Sequence, residues 1–393
     1  MNIVFTGLSG VPYKKRAADA RLLAFAETFA TSGNEVAILN RMPVVNDSEK
    51  KDVTISADNI KIIELFKRKS PVSNSLAFVI YFLFSYLVEY RWFIKNNREK
   101  KIDFIHLYSG HYFDFLHYSL IAKLIGAKLI YQYVEVRTAK NTKGAYHKLN
   151  SYLVDNYGYR LFDGVISISD YISDLLNKQS SQLPVVKVPP ICDISYFDNI
   201  SSENKTEGED ECILFCGSAG YLEPIQLIID SYKASKLNPG IKLYLVLSGT
   251  EQLLDKIRVQ LTDSIKILNS LPYAELVKLY VSAKALLIPL RNTIEDTARF
   301  PNKISEYTAS GGLIITTDFG EIKNYFKDNE SALIAEDFTV PAYTRKLNQI
   351  VENSDIKNEE IRNNAYNICL KHFDKKAYKG ILQEFLISLS KQK

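Results

Sequence analysis

The chain has 393 residues, 46% of them hydrophobic and 24% charged, and a formal net charge of +4. This length predicts two domains, each with its own core, and the composition is typical of a soluble globular protein. The four cysteines are too few and too scattered for a disulfide framework and lack zinc-ligand spacing, so we expect buried thiols in a reducing cytoplasm. No basic region precedes an apolar one at the start of the chain, so we expect no signal peptide.

Positive charge is concentrated in residues 1–190, which contain 25 Lys and Arg against 17 Asp and Glu, whereas the remainder contains 24 and 28. Basic runs at residues 14–16, 67–69 and 98–101 contribute much of this excess. A basic half can attract anionic lipid headgroups or a pyrophosphate-linked acceptor, although such runs also simply solvate helix ends.

The first half of the chain alternates strand and helix patterns. Residues 2–6 predict a strand, residues 17–31 a helix and residues 35–39 a second strand, which make a βαβ unit and imply a parallel sheet. Further strands are predicted at residues 102–107, 128–133, 164–167 and 185–190, and helices at residues 113–125 and 146–161.

Residues 76–88 form an apolar run without a charged side chain. Thirteen residues fall short of the roughly 20 that span a bilayer, and Glu89 and Arg91 follow at once. We expect a buried helix that does not span a membrane. A helix on the membrane surface, with its apolar and aromatic face in the lipid, is the open alternative.

The second half repeats the alternation after a polar stretch at residues 201–210, which predicts a linker. The predicted strands lie at residues 212–216, 242–247, 264–268, 285–289 and 313–317. We therefore predict an α/β fold with two Rossmann-like domains, in which ligands bind at the carboxyl ends of the parallel strands.

Residues 300–312 combine a polar loop with a short predicted helix, directly before the last of these strands. Pro301 suits the first position of a helix, and Lys303 offers a positive charge to phosphate. Glu306 lies one turn further on, where a carboxylate can hold ribose hydroxyls. This layout suits an anionic ligand, and an ordinary helix cap is the alternative.

The same segment resembles the nucleotide-sugar loop of glycosyltransferase family 4, with the signature P-N/S-K-x-x-E-Y-x-A-x-G. Glu306 matches the second Glu of the family's E-x7-E motif, whereas Ala298 stands where the first belongs, with Glu295 and Asp296 just upstream as substitutes. The resemblance implies the GT-B fold, in which two Rossmann-like domains face a central cleft. It implies an acceptor-binding domain at residues 1–195, a nucleotide-sugar-binding domain at residues 196–372, and a helix within residues 373–393 that returns to the first domain.

On the acceptor side, the resemblance indicates three candidate catalytic residues. His106 lies in a segment similar to a strand-end pattern of the family, and His111 follows just beyond that strand. Glu135 belongs to an E-x-R pattern with Arg137. A histidine in the core and an ordinary ion pair are the alternatives.

The resemblance also implies a set of donor-binding residues. Gly217 and Ser218 open the site, Leu271 and Tyr273 lie near the base, and Arg299, Asn302 and Lys303 are near the diphosphate. Glu306 holds the ribose and Glu321 lies near the sugar. The family usually places Arg and Lys at the positions of Ser218 and Glu223. We therefore expect the diphosphate to be met by amides near Asn302 and by other cations, or by a backbone nest at residues 217–220. The available cations are Arg291, Arg299 and Lys303.

The resemblance implies a retaining glycosyltransferase that moves a sugar from a nucleotide diphosphate to a hydroxyl of a lipid-linked or surface-polysaccharide precursor. No metal or other cofactor is expected, because no D-x-D motif lies at a strand end. The expected partners are the nucleotide sugar, the glycan acceptor and the membrane surface, not nucleic acid. Two alternatives stay open: a non-catalytic binding subunit, since the first Glu and the Arg/Lys pair are missing, and a nucleotide-sugar 2-epimerase.

Overall fold

The computed structural model describes residues 1–13, 17–42, 59–66, 76–140, 144–203, 211–269 and 271–392. These residues form two compact units, Met1–Pro189 with Lys375–Lys393, and Pro190–Asp374. The basic runs at residues 14–16 and 67–69, most of the predicted linker at residues 201–210, and Ser270 lie outside the described residues.

The first unit is built on a seven-stranded parallel sheet. Its strands are β1 (Asn2–Thr6), β2 (Glu35–Asn40), β3 (Ile60–Glu64), β4 (Phe104–Leu107), β5 (Lys128–Tyr133), β6 (Gly164–Ser167) and β7 (Val185–Lys187). They lie in the order β3-β2-β1-β4-β5-β6-β7. The helices between them are α1 (Ala17–Thr31), α2 (Leu76–Glu99), α3 (Tyr112–Ile125), α4 (Ala145–Tyr157) and α5 (Asp170–Gln179).

The second unit is built on a six-stranded parallel sheet. Its strands are β8 (Cys212–Ser218), β9 (Lys242–Ser248), β10 (Ile265–Asn269), β11 (Ala285–Ile288), β12 (Ile314–Thr317) and β13 (Leu333–Ala335), in the order β10-β9-β8-β11-β12-β13. Its helices are α6 (Ile194–Glu203), α7 (Leu222–Lys233), α8 (Glu251–Arg258), α9 (Tyr273–Ser282), α10 (Ile294–Ala298), α11 (Lys303–Ala309), α12 (Ile322–Tyr325), α13 (Val340–Glu352) and α14 (Asp355–His372).

Aliphatic runs form the central strands, and β4, β6, β11 and β12 are buried along their whole length, as expected where helices cover both faces of a parallel sheet. Three helices are capped by the hydroxyl residue that directly precedes them: α5 by Ser169, α13 by Thr339 and α14 by Ser354. Each side-chain oxygen accepts a hydrogen bond from the backbone N–H three residues further on. The predicted α/β fold with two Rossmann-like domains is confirmed. The short edge strands β3 and β13 were missed, because three to five residues carry little periodicity.

The last helix, α15 (Lys379–Lys391), belongs to the first unit. Asn34 Nδ2 donates a 2.9 Å hydrogen bond to Gln383 Oε1 in this helix. Just before it, the Lys375 ammonium lies 2.6 Å from the Glu27 carboxylate of α1. The chain therefore returns to the first unit after completing the second.

The expectation of a buried helix at residues 76–88 is wrong. The helix α2 continues to Glu99, and its first half exposes most of its apolar side chains because only one side of the helix can pack on the sheet. Within the described ranges it is the one helix that could cross a membrane by length and composition, with a hydropathy of 1.4.

Candidate functional site

The predicted donor residues cluster at one edge of the second sheet. Gly217 and Ser218 end β8, Arg291 follows β11, and Glu321 follows β12. Since β8, β11 and β12 are neighbouring parallel strands, their carboxyl ends lie at the same edge. A Cβ on Gly320 would lie 3.0 Å from the Asp296 carbonyl oxygen, so the loops after β11 and β12 touch.

An ion pair on α11 lies at this edge. Lys303 Nζ lies 2.7 Å from Glu306 Oε2, and Glu306 is 5% exposed. Burial opposes the charge on Lys303, but the Glu306 carboxylate more than offsets it and raises the lysine's pKa above its ordinary value. The ammonium also lies 5.5 Å from the centre of the Tyr280 ring. The lysine is therefore charged, and the pair is largely shielded from water.

The helix that carries this pair is anchored to the sheet. Cys216 N, in β8, donates a 3.1 Å hydrogen bond to Tyr307 Oη. Gly312 allows the chain to pass close to β11, since a Cβ there would lie 2.2 Å from Leu286 Cδ1. Gly311 has φ +69, which favours glycine. These contacts hold Lys303 and Glu306 in place.

The buried carboxylate of Asp296, in α10, pairs with two arginines, Arg291 and Arg299, that flank this helix. Asp296 is fully buried, and its Oδ2 accepts 2.8 Å hydrogen bonds from the backbone N–H and from Nε of Arg291. Arg299 Nη2 lies 2.6 Å from its Oδ1. Burial raises the pKa of Asp296, but the two guanidinium groups outweigh this and lower it. Glu295, the other suggested substitute for the missing first Glu, also pairs with Arg291 at 3.0 Å, and Ala298 itself is fully buried.

A second cation lies beside Glu223, the carboxylate that stands at the family's lysine position. Arg291 Nη1 lies 3.0 Å from Glu223 Oε2, although the two residues are 68 positions apart. Arg299 Nη1 donates a 2.6 Å hydrogen bond to Tyr221 Oη. The positive charge at this end of α7 therefore comes from Arg291 and Arg299.

The turn after β8 already uses its backbone amides. Ala219 N donates to the Ser248 carbonyl oxygen at 2.8 Å, Gly220 N to Ser218 Oγ at 3.1 Å, and Tyr221 N to the Ser218 carbonyl oxygen at 3.1 Å. A phosphate bound by a nest at residues 217–220 would have to displace these acceptors. The Gly220 amide is the easiest to release, because a side-chain rotation of Ser218 frees it.

The remaining donor candidates lie on neighbouring segments. Tyr273 begins α9, directly after Leu271 and Pro272, and its ring stacks on Tyr196 with centroids 5.5 Å apart. Burial, and then the Glu306 carboxylate, raise the Tyr273 pKa well above its usual value, so the phenol is neutral.

Two further candidates directly precede helices. Glu321 is buried before α12, and its carboxylate accepts a 3.3 Å hydrogen bond from Asn324. Asn302 directly precedes α11, and its carbonyl oxygen accepts a 2.9 Å hydrogen bond from Ser305 Oγ.

Of the three acceptor candidates, His106 is a core residue. It is 1% exposed in β4, its ring centroid lies 4.3 Å from that of Phe5, and Phe25 and Phe29 flank it. Among the described residues neither ring nitrogen has a hydrogen-bond partner. Burial, and then the Arg21 charge, lower the His106 pKa to about 3. Its position does not fit contact with an acceptor.

The other two acceptor candidates lie at the carboxyl ends of β4 and β5. His111 lies immediately before α3 and is partly exposed. Its partial burial lowers its pKa, although the nearby Asp114 carboxylate opposes this. Glu135 is half-buried and pairs with Arg137 at 3.4 Å and Lys140 at 2.5 Å. The Arg137 guanidinium fills the space where a Cβ on Gly110 would be, so the Glu135 pair packs beside the loop of His111.

Sequence reasoning missed a buried polar cluster at the same edge of the first sheet. Arg41 Nη2 lies 3.4 Å from Asp114 Oδ1, and its Nε lies 3.9 Å from Glu89 Oε2. Tyr118 Oη and Thr6 Oγ1 donate to Glu89 Oε1 at 2.8 and 3.1 Å. These residues come from β1, α2, α3 and the loop after β2 and share no motif, so only a buried charge in an apolar context could have indicated them.

No group of three or more His, Cys, Asp or Glu side chains suited to a metal ion occurs in the part of the chain that the structure describes. Cys192, Cys212 and Cys369 are buried, Cys216 is half-buried, and none of these four described cysteines forms a disulfide.

The fold corresponds to the GT-B class, two Rossmann-like α/β units as in glycosyltransferases. Residues 197–368 match the family model described as glycosyl transferases group 1. This range covers most of the second unit and includes every predicted donor residue. A search of curated proteins gives no significant match.

Solved structures resemble the whole chain. Sucrose-phosphate synthase from Thermosynechococcus elongatus has a TM-score of 0.74 and 13% identity, covering 99% of this chain and 98% of that one. Anabaena Alr3699/HepE, in complex with UDP and glucose, has a TM-score of 0.73 and 14% identity, covering 99% and 100%. The pneumococcal O-GlcNAc transferase GtfA, in complex with UDP and GlcNAc, has a TM-score of 0.69 and 12% identity, covering 100% and 99%. At these identities the likeness shows the fold.

Proposed function

We propose that this chain is a retaining glycosyltransferase similar to family 4, which transfers a sugar from a nucleoside diphosphate to a hydroxyl of a lipid-linked or surface-polysaccharide precursor. The observation that carries the proposal is the shielded Lys303–Glu306 pair at the carboxyl edge of the second sheet, inside the range that matches the group 1 model. Solved structures of similar fold, HepE and GtfA, carry UDP with a sugar, which supports a nucleotide-sugar donor.

In this proposal the donor lies along the edge formed by β8, β11 and β12. Glu306 accepts hydrogen bonds from the ribose hydroxyls, and Tyr273 and Leu271 lie along the base. Lys303 and Arg291 face the diphosphate, whose negative charge increases as it leaves. Glu321 holds hydroxyls of the sugar.

The bond from the anomeric carbon to the phosphate oxygen breaks, and a bond to the acceptor oxygen forms on the same face of the sugar. The acceptor's proton passes to the departing diphosphate, so no protein base is needed. The residues of this chain contribute positioning and electrostatic stabilisation. The reaction uses no metal, and the two arginines and Lys303 supply the positive charge.

The experiment is a thermal-shift panel with UDP, GDP, ADP and CMP, with and without magnesium, because a ligand that binds the folded state raises Tm. We expect a magnesium-independent rise with one nucleoside diphosphate. Glu306→Ala should abolish it, whereas Glu360→Ala should not. Glu360 is the matched control, since it also pairs with a lysine three residues before it, at 3.0 Å, but on an exposed surface.

A non-catalytic binding subunit is the second candidate, favoured by the burial of Ala298 and the engagement of Glu295 and Asp296 with arginines. It predicts the same nucleotide binding, but no hydrolysis or transfer of the sugar from the matching nucleotide sugar. Release of nucleoside diphosphate from that donor, lost in Glu306→Ala, would exclude it. Absence of any thermal shift would contradict the proposal itself.

A further inference from the structure

The outer surface of the first unit is unusually apolar. Six large apolar side chains of α2 are between 48 and 76% exposed: Leu76, Val79, Ile80, Leu83, Phe84 and Leu87. Their spacing of three and four residues places them along one side of the helix. The outer side of a helix that covers a sheet in a soluble domain is ordinarily polar.

The same stripe occurs on the two helices that follow. On α3 the exposed side chains are Phe113, Leu116, Leu120 and Leu124, and on α4 they are Tyr146, Leu149 and Tyr152. The three helices lie side by side. The ring of Tyr86 in α2 lies 5.0 Å from that of Phe113, and Tyr112 N donates to Asn150 Oδ1 of α4 at 2.9 Å. The three stripes form one surface, which we call the apolar face.

The inner side of α2 packs against β1 and α3, so α2 is not a transmembrane helix surrounded by lipid on all sides. Glu89 is fully buried and accepts hydrogen bonds from Thr6 in β1 and Tyr118 in α3. Ser85, Tyr86 and Phe93 on the same side are also buried. Although α2 is long and apolar enough to cross a membrane, it therefore presents only its outer side to its surroundings.

The exposed charges of these three helices are almost all positive. Arg91, Lys95, Arg98, Lys123 and Lys148 are exposed. The carboxylates of Glu89, Asp114 and Asp155 are buried, and the exposed Glu99 is paired with Lys95 at 3.9 Å. If a second copy of the chain packed on this face, the positive side chains of the two copies would repel each other. An anionic lipid surface, in contrast, complements both the apolar side chains and the positive charges.

We propose that the apolar face docks on a bilayer containing anionic lipids. This inference stands without the proposed function. If the proposed function also holds, it gives the acceptor's class, because α3 begins beside His111 at the carboxyl edge of the first sheet and Phe113 belongs to the apolar face. An acceptor carried on a membrane lipid would then meet the acceptor side of the chain directly.

The experiment measures binding of the full chain to vesicles, without nucleotide, by flotation and by fluorescence. Trp92 is the single tryptophan of the chain and lies in α2, on the same side as Glu89 and away from the apolar face, so energy transfer from Trp92 to a dansyl-labelled lipid reports docking. We expect binding and energy transfer with phosphatidylcholine vesicles containing about 30% phosphatidylglycerol, weaker binding with phosphatidylcholine alone, and loss of the difference at high salt.

The variant Leu83→Gln/Leu87→Gln/Leu120→Gln should weaken vesicle binding by at least about tenfold, because three exposed leucines no longer enter the lipid. The matched control is Val259→Gln/Ile356→Gln/Leu370→Gln, which changes three exposed apolar residues of the second unit. It should bind like wild type. A melting curve close to wild type confirms that each variant folds.

The charge variant Lys95→Glu/Lys123→Glu should reduce both binding and its salt dependence, whereas Lys233→Glu/Lys278→Glu, on exposed lysines of the second unit, should change neither. Failure to bind either vesicle would overturn the proposal, as would a triple leucine variant that binds like wild type. A wild-type dimer that this variant dissociates, without vesicle binding, would show instead that a second copy covers the face. Because no nucleotide is present, none of these outcomes depends on the glycosyltransferase proposal.

Discussion

The carboxyl edges of the two sheets hold charged groups in different ways. In the second unit two buried or half-buried pairs are local: Lys303 and Glu306 share a helix, and Arg291 meets Asp296 five residues on, whereas the pair of Arg291 with the exposed Glu223 joins residues 68 positions apart. In the first unit Arg41 meets Asp114 and Glu89, which lie 73 and 48 residues away. Local pairs are visible as motifs, whereas distant pairs exist only once the sheet has formed. This difference explains why the sequence indicated the loop of Lys303 and Glu306 but not the buried cluster around Arg41.

The largest expected effect tests whether the distant cluster holds the first unit together. Arg41→Met leaves two carboxylates buried without their cation, which should lower the free energy of unfolding by about 3–5 kcal/mol. Denaturant unfolding followed by Trp92 fluorescence measures it, since that residue lies in the first unit. The control is Arg258→Met, an exposed arginine that also pairs with two carboxylates, and it should show little change. If Arg41→Met and Arg258→Met both changed the free energy of unfolding only slightly, the buried cluster would not stabilise the first unit.

The next effect tests the local pair on the donor side. Lys303→Met should lower the transfer rate by about 100-fold, equivalent to about 2.7 kcal/mol, because the leaving diphosphate loses a shielded cation. Transfer kinetics measure it, with Lys357→Met as the control. Lys357 has the same spacing from its Glu partner but lies on the surface. A rate within a few-fold of wild type would remove Lys303 from the site.

The pH dependence of stability tests the assignment of His106 to the core. Its pKa is about 3 in the folded chain and near 6.5 when unfolded, so the unfolded state binds more protons between these values. This group therefore destabilises the fold as the pH falls below 6.5, by up to about 1.4 kcal/mol per pH unit.

The substitution that isolates this contribution is His106→Phe. Between about pH 6.5 and about pH 5, wild type should lose about 2 kcal/mol more stability than this variant. Unfolding curves measured across that range give the difference. The exposed His147, changed to Phe, should leave the profile as in wild type. Parallel profiles for wild type and His106→Phe would show that His106 is not a buried neutral group.

The smallest expected effect concerns Glu223, a carboxylate at the position where the resemblance to glycosyltransferase family 4 predicts a lysine. Glu223→Gln releases Arg291 from an exposed partner and removes one negative charge near the diphosphate. Nucleoside diphosphate affinity should therefore rise by about threefold, measured by calorimetry. Glu330→Gln, at an exposed glutamate elsewhere in the second unit, should not change it. A loss of affinity would indicate that Glu223 itself contacts the ligand.

Much of the fold was predictable because the strands are continuous apolar runs separated by helical periodicity. The prediction at residues 128–133 coincides with β5, and that at residues 17–31 with α1. The prediction of a buried helix at residues 76–88 was wrong, because an apolar segment is buried only where another surface of the protein covers it. The outer side of α2 has no such surface among the described residues of the first unit.

The sequence by itself determined the two alternations of strand and helix, the loop with Lys303 and Glu306, and the excess of positive charge in the first half. Each of these depends on residues close together in the chain, where spacing translates directly into geometry. Only the tertiary structure decided that His106 is a core residue, that Arg291 faces Glu223, and that three helices present one apolar face. The physical reason is that burial and long-range pairing depend on which elements become neighbours in the sheet, and no local pattern encodes that order.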